Sequence, residues 1–395
     1  MSKHTILIAL FLVIPYVTFS QNQHEAWTFQ TNGRIYSSAA IKGNLVYFGS
    51  GDSTLYAVNK NSGALKWKFK TLGAVQSNPA INKGFVYFGS QDGKLYSLDA
   101  QTGKLIWKFQ SKGERMLDVW DYYLSSPTIE NGVVYWGSGD GNMYALNAKD
   151  GKPIWNFHAG AIIHATPLLS NGKVYFGDYN GKFYALDADN GALFWQFKTV
   201  GDTYFPKGEI PKGAAIDNGV IYFGSRDFNL YAIDAETGTG RWNRKELGSW
   251  IIAEPLIYKD KVYFGTSDTH RFYCLDKTNG NSVWQLELPM RVYGSAITHN
   301  NLIYFGCFDG KIRAVDAQTG EEKWEFQTAG SKKNYSKIYN AEGKFKDGFE
   351  LYGKDYLETE KLIHTLGSIL STPIIDSNTI YFGSSDGNFY AIPTQ

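Results

Sequence analysis

Tyr87-Phe88-Gly89-Ser90-Gln91-Asp92-Gly93-Lys94-Leu95-Tyr96-Ser97-Leu98-Asp99-Ala100-Gln101-Thr102-Gly103-Lys104-Leu105-Ile106-Trp107-Lys108-Phe109 decides the fold, because the chain of 395 residues writes this phrase again and again. Its Tyr-aromatic-Gly opening recurs at Tyr47, Tyr87, Tyr135, Tyr175, Tyr222, Tyr263, Tyr304 and Tyr381. Its Trp recurs at Trp67, Trp107, Trp155, Trp195, Trp242, Trp284 and Trp324. The eighth copy meets no Trp before Gln395, and the missing piece stands at the other end as Trp27-Thr28-Phe29. A linear stack has no use for that permutation, but a closed ring does. Repeats of about 40–45 residues with four strands each are the mark of a β-propeller. The reading is therefore all-β: one eight-bladed propeller over residues 21–395. Trp27 to Phe29 completes the last blade by pairing antiparallel with Asn388 to Ile392.

One repeat reads as one blade. Ser125 to Ile129 enters as the inner strand and turns at Asn131-Gly132. Val133 to Gly137 and Met143 to Leu146 flank Asp140-Gly141, a dipeptide suited to the positive φ angles of a tight hairpin. Ile154 to Phe157 is the outer strand. The recurring Asp-Gly is turn chemistry rather than a calcium loop, which needs several oxygen ligands converging within about 12 residues. Each Trp is expected to lie across the neighbouring blade, its N–H on a backbone carbonyl.

Composition narrows the function classes. With 39 Lys and Arg against 38 Asp and Glu, the chain lacks the basic excess of a nucleic-acid binder or of a protein held on anionic lipid. Lys3 and His4 precede an apolar run from Ile6 to Val17, interrupted by Pro15 and followed by small residues at Thr18 and Ser20. That pattern predicts a secretory signal cleaved near Ser20, a secreted or periplasmic protein, and no membrane insertion. The two cysteines, Cys274 and Cys307, replace small residues of the repeat. They read as small buried side chains or, alternatively, as a disulfide stapling neighbouring blades.

Ala-x-Asp-x-x-x-Gly-x-x-x-Trp resembles the tryptophan-docking motif of the pyrroloquinoline quinone (PQQ) repeat propellers. Leu98 to Trp107 carries it most clearly, with related copies ending at Trp67, Trp155, Trp195, Trp242, Trp284 and Trp324. The resemblance implies the propeller fold over nearly all of residues 21–395. It also implies an axial site where the family's dehydrogenases hold PQQ and Ca²⁺, often beside a disulfide between adjacent cysteines. This chain has no adjacent Cys pair and no haem-attaching Cys-x-x-Cys-His. In size and regularity it is more similar to the family's non-catalytic members, among them a periplasmic propeller that assists outer-membrane protein assembly.

Length variation picks out a face. The step from the repeat's Tyr to its Trp is 20 residues in six complete copies and 21 in the other. The connection from each Trp to the position of Pro127 in the next copy is elastic, running from 12 residues after Trp67 to 49 after Trp324. All such connections emerge on one side of the disc, and insertions confined to one face of a repeat ring mark a binding face. The largest, Ser331 to Ile363, is rich in aromatic residues and is expected to fold as a lid or small hairpin.

Stepping back from the Pro127 position by odd numbers collects side chains of one parity near the axis. Arg34, Tyr36, Gln76, Tyr122, His164, Trp250, Glu254, Arg291 and Tyr293 stand out there against small or aliphatic residues. They predict either a polar funnel for an anionic or hydroxylated ligand or a hydrated plug at the channel mouth. No His-Glu-x-x-His or phosphate loop is present, and the candidate bases His164, His364 and Glu254 have no partner visible in the sequence. Two functions follow. One is a monomeric, non-catalytic propeller that engages a protein or glycan on the insertion face; the other is a quinoprotein oxidising a sugar or alcohol.

Overall fold

The structure, a computed structural model, describes residues 26–394. The proposed signal segment and its cleavage position lie outside the described residues. Eight four-stranded antiparallel sheets form the ring. The third blade shows the pattern: Thr128–Glu130, Val133–Gly137, Asn142–Asn147 and Pro153–His158, from axis to rim. Asn131 and Gly132 turn the first pair with φ of 49° and 84°, the double positive φ of a tight primed hairpin. The inner strand bonds over three residues only, so Ser125 to Pro127 are free of the ladder and border the axis.

Ring closure occurs as the permuted repeat requires. Trp27–Gln30 pairs antiparallel with Asn388–Pro393, with Trp27 opposite Ala391 and Phe29 opposite Phe389. In the seven blades built from one continuous segment, the third and fourth strands shift register once, as between Ala145 and Leu146. The closing pair has no such shift. The bulge belongs to the turn that joins those two strands, and in the closing blade no turn joins them.

Neighbouring blades are latched by repeat residues. The indole N–H of Trp67 and the hydroxyl of Tyr47 both donate to the carbonyl of Ala100, each at 3.0 Å. Trp107 and Tyr87 converge likewise on Ala148, and Trp155 and Tyr135 on Ala188. Trp27 and Tyr381 close the ring on Lys60. The turn glycine one blade on lies flat against the indole: a Cβ on Gly103, whose φ is +72°, would stand 2.7 Å from Trp67. That glycine is thus demanded twice, by backbone conformation and by close approach. The seam between the seventh and eighth blades departs from the rule. There the buried Tyr304 hydroxyl has no partner among the described residues.

The Asp of the Asp-Gly hairpin is structural. Asp140 accepts from the Asn142 N–H at 2.9 Å, the Tyr144 hydroxyl at 2.6 Å and the Lys112 N–H at 2.8 Å, fastening the preceding connection. Cys274 and Cys307 keep free thiols in one buried cluster, so no disulfide staples these blades. Cys307 instead directs its Sγ to the Met290 carbonyl at 3.3 Å.

Candidate functional site

The long insertion folds as two helices, α1 (Ala329–Ile338) and α2 (Tyr356–His364), with a single bridge between Tyr339 and Phe345. Thr328 caps α1 by accepting from the Ser331 N–H. Ile338, Tyr339, Ile363 and Leu366 bury against Met290, Val292, Tyr293 and Phe308, which seats the insertion on the seventh blade.

This packing delivers one turn of α2 to the channel mouth. Glu360 accepts from Arg291 Nη1 at 3.1 and 2.9 Å and from the Tyr122 hydroxyl at 2.5 Å. Arg291 is fully buried, and its Nη2 donates to Tyr352 at 3.0 Å. His364 lies against Tyr36, Tyr122 and Phe308. Burial, with Arg34 and Arg291 nearby, lowers its pKa to about 3, so the ring is neutral at physiological pH. Burial and the Glu360 carboxylate hold the Tyr122 hydroxyl far above its ordinary value.

A second cluster fills the opposite side of the mouth. His164 Nε2 lies 2.8 Å from Glu114 Oε1, and its Nδ1 lies 3.0 Å from Asp121 Oδ1. Burial opposes charge on this imidazole, but the two carboxylates outweigh it and raise its pKa to about 9. Tyr179 donates to the same Asp121 oxygen at 2.6 Å. Next to this cluster, the Arg226 guanidinium stacks 4.4 Å from the Trp250 ring centre and pairs with Asp118 at 2.5 Å. Phe205 and Trp120 meet the Trp250 ring edge-on.

The residues singled out by sequence parity are therefore dispersed over three settings. Arg34, Tyr36, Tyr122, Arg291 and Tyr293 gather around α2; His164 and Trp250 belong to the second cluster. Of these, Arg34 is exposed at the rim, where it donates to the Tyr36 hydroxyl at 3.2 Å. Gln76 joins neither group, and its buried Oε1 has no partner among the described residues. Glu254 lies deeper, in a different cavity. Of the two alternatives, open funnel or plug, the geometry resembles the plug: the chain's own carboxylates pair with Arg291 and His164, while Arg34 has no carboxylate partner among the described residues. Trp250 is buried, only 8% exposed.

Sequence reasoning missed Glu360, Asp118, Arg226 and Tyr179, and offered His364 only as a candidate base without a partner. Arg226, Tyr179 and Phe308 share a signal that would have found two clusters: each replaces the small x of Gly-Ser-x-Asp-Gly. Glu360 and His364 lie in the one segment that repeats nothing.

Below the plug, towards the Asn-Gly turns, the axis reopens. A cavity of about 480 Å³ is lined by Ser38, Asn78, Glu254, Ser295 and Thr372. These residues share the position just before Pro127 in their blades, where Gly213 stands in the fifth. A Cβ on Gly213 would come within 2.7 Å of Glu254 Oε2, so the glycine makes room for the carboxylate. Lys212, missed because it has the other parity, donates to the Tyr293 carbonyl at 3.2 Å. Burial lowers the Lys212 pKa and raises that of Glu254, and each group partly offsets the shift of the other.

With this geometry in place, residues 17–122, 118–207 and 203–344 match the family described as outer membrane protein assembly factor BamB. The chain belongs to that family. Its fold is similar to that of BamB from Moraxella catarrhalis, with a TM-score of 0.69 and 16% identity over 92% of this chain and 98% of that one. A quinohemoprotein alcohol dehydrogenase from Comamonas testosteroni is as similar in fold, with a TM-score of 0.69 and 14% identity over 93% of this chain and 75% of that one. In sequence, quinoprotein alcohol dehydrogenase PedH from Pseudomonas putida is 29% identical over 93 residues, 21% of this chain and 16% of that protein. A quinoprotein ethanol dehydrogenase from the same species is 38% identical over 55 residues, 14% of this chain and 9% of that protein. The match thus spans less than a fifth of these relatives.

PQQ, the group the wider resemblance implies, has three carboxylates and a flat ring system. Holding it takes uncommitted cations and an open aromatic face. Around this mouth Arg291 is committed to Glu360, Arg226 to Asp118, and His164 to Asp121 and Glu114, which leaves the exposed Arg34 as a single cation without a carboxylate among the described residues. One face of Trp250 is taken by Arg226, and no group of three His, Cys, Asp or Glu among the described residues is arranged to hold a metal ion. The residues present do not fit PQQ with Ca²⁺.

Proposed function

We propose that this chain is an exported, non-catalytic binding propeller that docks a protein partner on its insertion-bearing face. The observation that carries the reading is the self-neutralised plug, in which Glu360 of α2 neutralises Arg291 and accepts from Tyr122. Such a mouth is a rigid, closed platform. The exposure pattern agrees with it: large exposed hydrophobic residues lie on outer strands or in the connections of this face. Leu72, Val200, Tyr204 and Leu247, each more than 70% exposed, are all in connections. Apolar side chains ringing a polar mouth are the kind of surface that protein partners cover. The BamB family's description as an assembly factor is in keeping with docking rather than turnover, and the apolar run from Ile6 to Val17 with export.

Site-specific photo-crosslinking in cells of the source organism tests this. A crosslinker at Tyr204 is expected to trap one discrete protein, and one at Asn218 on the opposite face is not. The Tyr204 adduct should disappear in Leu72→Glu/Leu247→Glu. Equal adducts from both faces, or an adduct indifferent to those substitutions, would overturn the docking face.

A further inference from the structure

The plug leaves unexplained the cavity beneath it, which neither the docking face nor the blade latches use. Its volume of about 480 Å³ lies in the ordinary range for small-molecule sites, roughly 300–1,000 Å³. Ser295 Oγ is buried there without a partner, and half-buried Glu254 and Asn78, with Lys212 just outside the lining, keep unused hydrogen-bonding capacity. Ser295 is 7% exposed, yet its Oγ has no hydrogen bond among the described residues. The Glu254 carboxylate accepts no hydrogen bond from any described residue, although Gly213 has been cleared of a side chain to admit it. Lys212 uses one of its three N–H groups, on the Tyr293 carbonyl. Asn78 spends its Oδ1 on the Ser38 N–H at 2.7 Å, leaving its NH₂ free to donate. A buried polar atom without a partner is costly, so Ser295, with three groups of unused hydrogen-bonding capacity around the same space, calls for an occupant.

We infer that this lower channel is a binding site for a small, neutral, polyhydroxylated ligand of monosaccharide size. The charge pattern selects neutrality: Glu254 repels anions and Lys212 repels cations. The donor and acceptor pattern suits hydroxyl groups, each of which both donates and accepts. One hydroxyl donates to Glu254, while others accept from Lys212 and Asn78 and exchange with Ser295. Leu256, Ile257 and Ile297 supply an apolar wall for the C–H face of such a ring. The site is independent of partner docking, since it lies on the other side of the Tyr36–Tyr122–Tyr293 layer.

The test is calorimetric titration of the full mature protein with D-glucose, D-galactose, D-mannose and myo-inositol, beside glucuronate and glucosamine as charged controls. At least one neutral probe is expected to bind, and both charged probes more weakly than it. Glu254→Gln keeps shape and volume, so an unchanged melting temperature verifies its fold. It should weaken the neutral probe about tenfold or more, as loss of a charge-assisted hydrogen bond implies. The top-face change Leu72→Glu/Leu247→Glu should leave affinity unaltered, which separates this site from the docking face. Failure of every neutral probe to bind, tighter binding of a charged one, or equal affinity in Glu254→Gln would each overturn the inference.

Discussion

The blade bodies and the axial plug are built by opposite rules. In the blades one solution repeats: a Trp and a Tyr share a carbonyl of the next blade, as at Ala100, Ala148 and Ala188. Each bond is ordinary, and stability accumulates through nearest-neighbour seams. At the plug nothing repeats. Arg291 and Glu360, His164 and Asp121, Arg226 and Asp118 are single pairings between distant connections. The difference teaches that the repeat makes a ring, and the exceptions to the repeat decide what the ring's axis is for.

Breaking the ring should have the largest effect. Removing residues 21–30 strips the closing strand from Asn388–Pro393 and the indole from Lys60. Chemical denaturation should then show loss of the single cooperative transition, and a truncated chain that melts like the intact one would refute closure. Within the seams, Trp107→Ala should cost about 3–5 kcal/mol, the usual loss for a large buried aromatic. Tyr304→Phe should cost almost nothing, because the hydroxyl it removes has no partner among the described residues. Tyr87→Phe, which removes a bond to Ala148, should cost about 1 kcal/mol. Equal effects at Tyr87 and Tyr304 would erase the distinction between latched and unlatched seams.

The plug is expected to respond through charge. Glu360→Gln leaves a fully buried guanidinium without its counter-charge and should cost about 3–5 kcal/mol, whereas Arg291→Met with Glu360→Leu should cost far less. Equal losses in the two would mean that the pair is not coupled. The smallest effects are those of pH. His164 has its folded pKa raised from 6.5 to about 9, so its contribution is complete below pH 6.5 and fades as pH rises through 9. His364 has its folded pKa lowered to about 3, so protonation favours the unfolded chain and stability falls as pH drops from 6.5 towards 3. Denaturation midpoints of His164→Gln and His364→Gln should lose the alkaline and the acid limb respectively.

The same contrast explains what could be read from the sequence. The blade, its turns and the closing strand were legible because Tyr87 to Phe109 states local chemistry that recurs at fixed spacing. Parity placed Arg291, Tyr293 and Tyr122 at the axis, since strand geometry carries that far. It did not reveal that Glu360 would meet Arg291, because that pairing depends on how α2 packs on Met290 and Phe308 through a segment with no repeat. Lys212 escaped for a related reason: it leaves the parity of the ladder in a connection that is not a strand.

The central claim is that the chain fills its own axial mouth, and calorimetric titration of the mature protein with PQQ, in the presence and absence of Ca²⁺, tests it most directly. No calcium-dependent binding is expected, since the charge of Arg291 is already neutralised by Glu360. Tight, stoichiometric, calcium-dependent binding that Arg291→Ala abolishes would contradict it.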